Sequence, residues 1–355
     1  MATLEAALDL HFDPEWGSPY WLERQAALGF DVRTEVRIEE DLHRLGRMDA
    51  GVLRSRPLMD FVPRSLWRGR AEMILAETGG TTGAPCRRVW FPDEFDAAFA
   101  APWERAADLR GFPRGANWLW LGPSGPHVIH RAARAMARRL GSLEPFSVDC
   151  DPRWSRRQIA GSLGHRLYAD HVVSQALAVV RAEPIEVLFT TPPLLLLLAE
   201  RMSVGERKRV RGIHVGGLPM DGPLCRRARG ELFPHAVVLP GYGNSLFGVA
   251  FESLPPGADD EPVYFEDDSA LRLRLAPWDP DDPEEVNLTR EVAEGERGRV
   301  VVHRFDESFL LVNFVERDTA TRATRVQEGP FAGRSGITGV GSAEQRRAAH
   351  LAVVY

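Results

Sequence analysis

Eight residues, Thr78-Gly79-Gly80-Thr81-Thr82-Gly83-Ala84-Pro85, carry three glycines and three threonine hydroxyls. Glycine lets backbone N–H groups close on an anion, and threonine adds hydroxyl donors. That pairing suits a phosphate. It is not the NTPase P-loop, whose Gly-x-x-x-x-Gly-Lys-Ser/Thr runs into a helix. Here Cys86-Arg87-Arg88-Val89-Trp90-Phe91 follows and reads as a strand. Lys208 is the only lysine in the chain, so any step that needs a lysine has one candidate.

Three further segments stand where a sheet would end. Gly216-Gly217-Leu218-Pro219 follows a strand ending at Val215, and Gly241-Tyr242-Gly243-Asn244-Ser245 follows one ending at Leu239. Asp318 follows a strand through Phe314. Gly217 permits close backbone approach to a flat ligand, Tyr242 offers a ring face, and Ser245 a hydroxyl. A carboxylate such as Asp318 can bind vicinal ribose hydroxyls. His127, at a strand end beside Gly125, either meets a substrate carboxylate or starts a helix bonded to backbone. Ligands of open α/β sheets gather beyond the carboxyl ends of the strands, where all these segments fall.

The elements that must hold them are legible as periodicity. Residues 1–70 read as a helical leader, with helical apolar spacing over 19–28 and 39–48. The 71–255 stretch alternates strands at 118–121, 145–149, 185–190, 210–215 and 236–239 with helices at 128–140, 165–182, 192–202 and 223–233. Such alternation predicts an α/β core with a mainly parallel sheet covered on both faces. Prolines and acids crowd 255–283, and strands at 271–275, 298–304 and 309–314 predict an antiparallel, barrel-like subdomain over 256–330. Residues 331–355 read as a glycine-rich, hinge-like tail ending in a short helix and 351–355.

Composition bounds the partners. A net charge of -6 argues against nucleic acid, and the arginine clusters fall at solvated helix spacing. Cys86, Cys150 and Cys225 form no CxxC pair, which suggests neither zinc nor a disulfide framework and fits a reducing cytoplasm. The acidic N-terminus is not a signal peptide, and no apolar run is long enough to span a bilayer.

The order of the motifs resembles the adenylate-forming superfamily of acyl-CoA synthetases, peptide-synthetase adenylation domains and luciferases. The 78–85 loop resembles its Thr-Ser-Gly-Thr-Thr-Gly-x-Pro-Lys signature, 216–220 its Gly-Gly-Ala-Pro-Leu, and 241–245 its Gly-Tyr-Gly-x-Thr-Glu. Residues 314–319 resemble the phenylacetate-CoA ligase branch, and Gly333-Arg334-Ser335 the hinge before a mobile C-terminal domain. The short length and Glu-Thr-Gly-Gly-Thr-Thr-Gly loop most resemble truncated adenylating proteins of phenazine (griseoluteate-type) antibiotic pathways.

The resemblance implies a large layered α/β domain with a small antiparallel barrel-like subdomain and no mobile C-terminal domain. It implies ATP or AMP as ligand, with Mg2+. Thr78, Gly79, Gly80, Thr81, Thr82 and Gly83 would hold the pyrophosphate portion. Gly216, Gly217, Leu218, Gly241, Tyr242, Gly243 and Asn244 would hold the adenine region, Ser245 the α-phosphate, Asp318 the ribose and Arg334 its edge. Gly125, His127, His214 and Gly216 would line the acyl pocket. The reaction implied is activation of a carboxylic acid, aromatic by this resemblance, with a downstream enzyme or acyl acceptor as partner. Two departures point to slow or partner-assisted turnover: Cys86 stands at the family's loop lysine, and Leu246 at its magnesium-associated glutamate. The alternatives are a nucleotide- or acyl-adenylate-binding protein, and an acyl-transfer subunit using Cys86 or Cys225.

Overall fold

The computed structural model describes residues 3–79, 84–125, 127–159, 161–257, 259–279, 281–282 and 285–341. The chain divides into two compact units. One comprises Met1–Ala98, Ser245–Gly248 and Glu266–Ser335, the other Phe99–Asn244, Val249–Phe265 and Gly336–Tyr355. The strands in chain order are β1 Ile74–Glu77, β2 Arg87–Trp90, β3 Trp118–Gly122, β4 Phe146–Asp149, β5 Val187–Thr190, β6 Gly212–Val215 and β7 Val237–Asn244. They continue with β8 Gly248–Phe251, β9 Val263–Tyr264, β10 Leu271–Ala276, β11 Arg297–Phe305, β12 Leu310–Arg322 and β13 Ile337–Gly341.

The second-named unit is built on a sheet of order β4-β3-β5-β6-β7-β8, in which neighbours from β4 to β7 pair in parallel. Every residue of β3, β5 and β6 is buried, as a parallel sheet covered on both faces requires. Alternation sorts their side chains. Leu119, Leu121, Leu188, Ile213 and Val215 join a core with Val172, Val173 and Ala176 of the helix Leu163–Ala182 and with Leu194 and Leu198 of the helix Pro192–Arg201. The opposite face carries rings: Trp118, Trp120, Phe189 and His214, packed with Trp103 of the helix Ala101–Arg110. Local chemistry starts the helices. Ser162 Oγ accepts the His165 N–H at 3.2 Å, and Pro192 occupies a first-turn position where its missing N–H costs nothing.

In the first-named unit, β10, β11 and β12 form an antiparallel ladder. The register between β11 and β12 slips twice. Between Val302 and Arg304 it slips by one residue, and Asn313 there takes φ 50°, a left-handed conformation that asparagine tolerates. Its Nδ2 donates to Leu42 O at 2.6 Å and Gly46 O at 3.0 Å, tying the helical leader to the ladder.

Beneath lies a buried ion network. Asp306 Oδ2 accepts from Arg88 Nη2 at 2.8 Å and Arg304 Nε at 2.6 Å, and Arg304 Nη1 donates to Asp268 Oδ2 at 2.6 Å. Both arginines are fully buried, and the Arg88 guanidinium lies 3.3 Å from the Trp90 ring centroid. Burial pushes Arg88 down to about 10, still charged at neutral pH.

Three buried histidines set an acid limit. Burial pushes His11 and His214 down to about 4 and His303 to about 3. Each is neutral in the folded state but protonates near 6.5 when unfolded, so the stability it contributes is complete above pH 6.5 and is lost as pH falls toward 4. Glu94, Glu252 and Glu266, raised by desolvation, act in the opposite sense. Comparison with a variant cancels them. His11→Gln is expected to flatten the stability-versus-pH curve between 6.5 and 4 by up to about 1.4 kcal/mol per pH unit, read by urea titration at a series of pH values. Parallel curves for the two proteins would contradict this.

The structure corrects several sequence expectations. β7 does not end at Leu239 but runs to Asn244, because the Pro240 carbonyl accepts the Glu252 N–H at 3.2 Å and extends the pairing through the glycines. β12 does not end at Phe314 but reaches Arg322. The helix expected over 223–233 is an α-helix, Gly222–Arg226, widened into a π-helical turn, Arg227–Leu232. The helices Ala101–Arg110 and Val204–Arg209, the latter holding Lys208, were not anticipated, nor was β13. The short terminal helix and residues 351–355 lie outside the described residues, as do Gly80, Thr81, Thr82 and Gly83.

Candidate active site

The β1–β2 hairpin positions the 78–85 loop. Glu77 pairs with Arg87, and the ladder closes one step further on. The Thr78 N–H donates to Cys86 O, and the Cys86 N–H to Thr78 Oγ1, both at 3.0 Å. Cys86 is therefore a hairpin residue with its side chain inward: Sγ lies 3.7 Å from Ala50 O, and burial raises its pKa. Cys225 is buried too, and burial raises its pKa well above the thiol range. Thiols held neutral in this way are poor nucleophiles, which argues against either as an acyl acceptor.

Asp318 owes its position to the larger irregularity in β12. Arg299 pairs with Thr319 and Val301 with Val315, so Glu316, Arg317 and Asp318 stand opposite the single residue Val300. A bulge of this kind re-aims side chains, and Asp318 is half-buried on it. Arg334 reaches the Glu266 backbone carbonyl, lies 3.6 Å from the Glu266 carboxylate, and stacks over Phe331.

Ser245 opens the short segment Ser245–Gly248, and the ion network grips that segment by its backbone. Arg88 Nη1 donates to Leu246 O at 2.6 Å, and Arg304 Nη1 to Phe247 O at 3.1 Å. Gly248 closes it at φ 93°, where an added Cβ would lie 2.7 Å from Ala98 O. The Leu246 side chain is buried. No group of three His, Cys, Asp or Glu side chains suited to a metal occurs among the described residues. The chain thus does not supply a carboxylate at the position where the resemblance implies one beside Mg2+.

The remaining candidates sit at the carboxyl edge of the parallel strands. The Gly216 N–H donates to Thr190 O at 3.3 Å, carrying the β5–β6 ladder one residue past β6. Gly217 then takes φ 81°, which disfavours any residue with a side chain. Leu218 follows, half-buried. An added Cβ on Gly216 would meet Gly241 O at 3.8 Å, an ordinary contact, so the position is not crowded. At Gly241 the space is filled: an added Cβ would lie 2.9 Å from His214 Cε1 and from Val249 Cγ1. His214, Gly216 and Gly241 are therefore neighbours. Tyr242, Gly243 and Asn244 are half-buried on β7, and the Tyr242 ring lies 6.0 Å from that of Tyr264. His127 caps the helix Val128–Arg139 without a side-chain cap bond, and its N–H donates to Ser124 O at 3.4 Å. Gly125 precedes it at φ 64°, and Asp149 Oδ1 accepts the Ser124 N–H at 2.7 Å.

One residue escaped the sequence reading. Thr191, just past β5, is buried, and its hydroxyl has no hydrogen-bond partner among the described residues. Nothing in its local sequence marks it, since a threonine before Pro192-Pro193 reads as a helix cap.

No protein-family model and no curated protein matches the chain. Solved structures do. An open conformation of 2-hydroxyisobutyryl-CoA ligase in complex with 2-HIB-AMP and CoA superposes with a TM-score of 0.65 at 17% identity, over 94% of this chain and 71% of that one. The same ligase in its postadenylation state with 2-HIB-AMP gives 0.67 at 17% identity, over 96% and 66%. The chain spans 66 to 71% of the length of these ligase chains. At this identity the likeness establishes architecture. No helix of the described residues is long and apolar enough to cross a membrane. A parallel-rich sheet, a separate antiparallel ladder and these superpositions together give the chain the fold of adenylate-forming enzymes.

Proposed function

We propose that this protein activates a carboxylic acid with ATP. A carboxylate oxygen attacks the α-phosphorus, the bond from that phosphorus to the pyrophosphate oxygen breaks, and the electron pair leaves with pyrophosphate. The product is a mixed acyl-phosphate anhydride. The observation that carries this reading is the backbone at Gly216-Gly217, just past β6, in a chain with the adenylate-forming fold; Asp318, in the other unit, is a separate candidate. Gly217 in the left-handed region and the uncrowded position of Gly216 fit a flat base approaching backbone. Asp318 on its bulge fits a pair of ribose hydroxyls. Ser245 would bond the α-phosphate, in a segment whose backbone Arg88 and Arg304 hold still. His127 would meet the acid's carboxylate, and Arg334 the ribose edge. The chemistry is mainly positioning, which can lower a barrier by several kcal/mol.

The acid we favour is aromatic, and the setting a secondary-metabolite pathway of the phenazine type, on the resemblance of the Glu77-Thr78-Gly79 loop. Incubation with ATP and a panel of aromatic acids, with AMP and pyrophosphate measured by chromatography, tests the reading. Release of both that depends on one acid supports it, and release of neither with any acid counts against it.

A second reading has its own observation. Cys86 and Leu246 stand where the family has a lysine and a glutamate, and both side chains are buried in the protein. Loss of one charge-stabilising group can cost roughly 10²–10³ in rate. A protein that binds the nucleotide and acid without turning them over would show tight AMP binding by calorimetry and no pyrophosphate release.

A further inference from the structure

The helical leader runs into a 3₁₀-helix, Arg64–Glu72, none of whose nine residues is buried. Side chains three apart eclipse in such a helix, so its residues fall into three rows. Burial follows that period. Leu66 and Gly69 are half-buried, and an added Cβ on Gly69 would lie 3.8 Å from Phe91 Cε1, so their row faces the protein. The one acid of the helix, Glu72, falls in that same row. A second row is Arg64, Trp67 and Arg70, and a third is Ser65, Arg68 and Ala71; all six residues are exposed.

These outward rows carry charge without neutralisation. The Arg68 and Arg70 side chains make no hydrogen bond or ion pair among the described residues, and Arg64 makes only a 3.5 Å contact with the Glu15 carbonyl. The Trp67 ring is held in place, because its Nε1 donates to Val62 O at 3.1 Å while 37% of the residue stays exposed. Trp16, 54% exposed, borders the helix: its carbonyl accepts the Ser65 N–H at 3.2 Å. A chain of net charge -6 thus presents three guanidiniums and two indoles on one short stretch. Arginine and tryptophan are the side chains that most often anchor contacts between proteins.

The charge selects an anion, and the length of the row selects which kind. From Arg64 to Arg70 the helix rises about 12 Å. A nucleic-acid strand or an anionic bilayer extends well beyond that and would also meet the net acidic remainder of the surface, whose repulsion acts over about a Debye length. A short peptide segment meets the row alone. Its geometry matches too. In an extended peptide, residues i, i+2 and i+4 share a face at steps of about 6.6 Å, against steps of about 6 Å between Arg64, Trp67 and Arg70. We infer that this row docks an extended acidic segment of a partner protein, with carboxylates at i and i+4 on Arg64 and Arg70 and an apolar side chain at i+2 on the Trp67 indole. The inference does not depend on the proposed acid activation.

The test is fluorescence anisotropy at low salt of a dye-labelled peptide, Ser-Glu-Thr-Leu-Thr-Glu-Ser, titrated with the full chain. Its isomer Ser-Glu-Thr-Leu-Glu-Thr-Ser keeps the composition and puts the two carboxylates on opposite faces, so it should bind about twofold or more weaker, having lost one of two exposed ion pairs. The double variant Arg64→Gln, Arg70→Gln should melt as wild type does, since both side chains are exposed, and should bind the first peptide about fivefold or more weaker. No binding of the first peptide, equal binding of its isomer, or unchanged affinity in the double variant would overturn the inference. Vesicles of phosphatidylserine and phosphatidylcholine, and a thymidine oligonucleotide, are titrated in parallel. Tighter binding of either than of the peptide, lost in the double variant, would give the row to another class of partner and overturn the inference as well.

Discussion

Replacing Asp306 by alanine is expected to cost about 3–5 kcal/mol of folding stability, the scale for breaking a buried ion pair from one side. The cost comes from what remains. Arg88 and Arg304 are both fully buried, and each would lose a charged hydrogen bond of 2.6–2.8 Å. Arg304 would keep Asp268, and Arg88 would keep the Trp90 ring and two carbonyls, at Val89 and Leu246. His11 would keep its bond to the Asp306 backbone carbonyl at 3.0 Å but lose the nearby carboxylate charge that favours its protonated form. Equilibrium urea unfolding gives the number. A loss below about 1 kcal/mol would mean that water or rearrangement replaces the carboxylate easily, and the network would then not be what holds the Ser245–Gly248 segment.

Asp318→Ala is expected to weaken AMP and ATP binding by roughly 10²–10⁴-fold, because two hydrogen bonds to a charged acceptor are worth about 1.5–3 kcal/mol each. Folding should change little, since Asp318 is half-buried on a bulge that a shorter side chain can occupy. Calorimetry on the variant beside wild type separates the two effects. Unchanged nucleotide affinity in a folded variant would remove Asp318 from the site and, with it, the main support for a ribose-bearing ligand.

Much of the architecture was legible because its signals are local. The apolar runs of β3, β5 and β6, and the proline and serine that open the helices after them, predict buried parallel strands with crossover helices. The candidate site could be proposed from the order of its motifs, since each glycine segment taken singly reads as an ordinary turn. What escaped depends on register. Gly122 and Gly241 lie in β3 and β7, and Thr191 and Gly216 just past β5 and β6, and only the pairing of those strands shows that they share a row. Arg88 and Asp306 are 218 residues apart, so their contact has no local signature. β7 and β12 were read too short for one reason: glycines and charges look like turns, yet ladder bonds and a bulge carry both strands through them. The arginines beside Cys86 could suggest an activated thiol, but hairpin closure turns its side chain inward, as an ordinary buried cysteine.

The central claim is that a carboxylic acid is activated here as its adenylate. ATP–pyrophosphate exchange across a panel of aromatic acids tests it most directly, because exchange requires the anhydride to form and reverse on the protein. The account predicts slow exchange that depends on one aromatic acid and vanishes in Asp318→Ala. Absence of exchange with every acid, in a protein that still binds AMP, would contradict it.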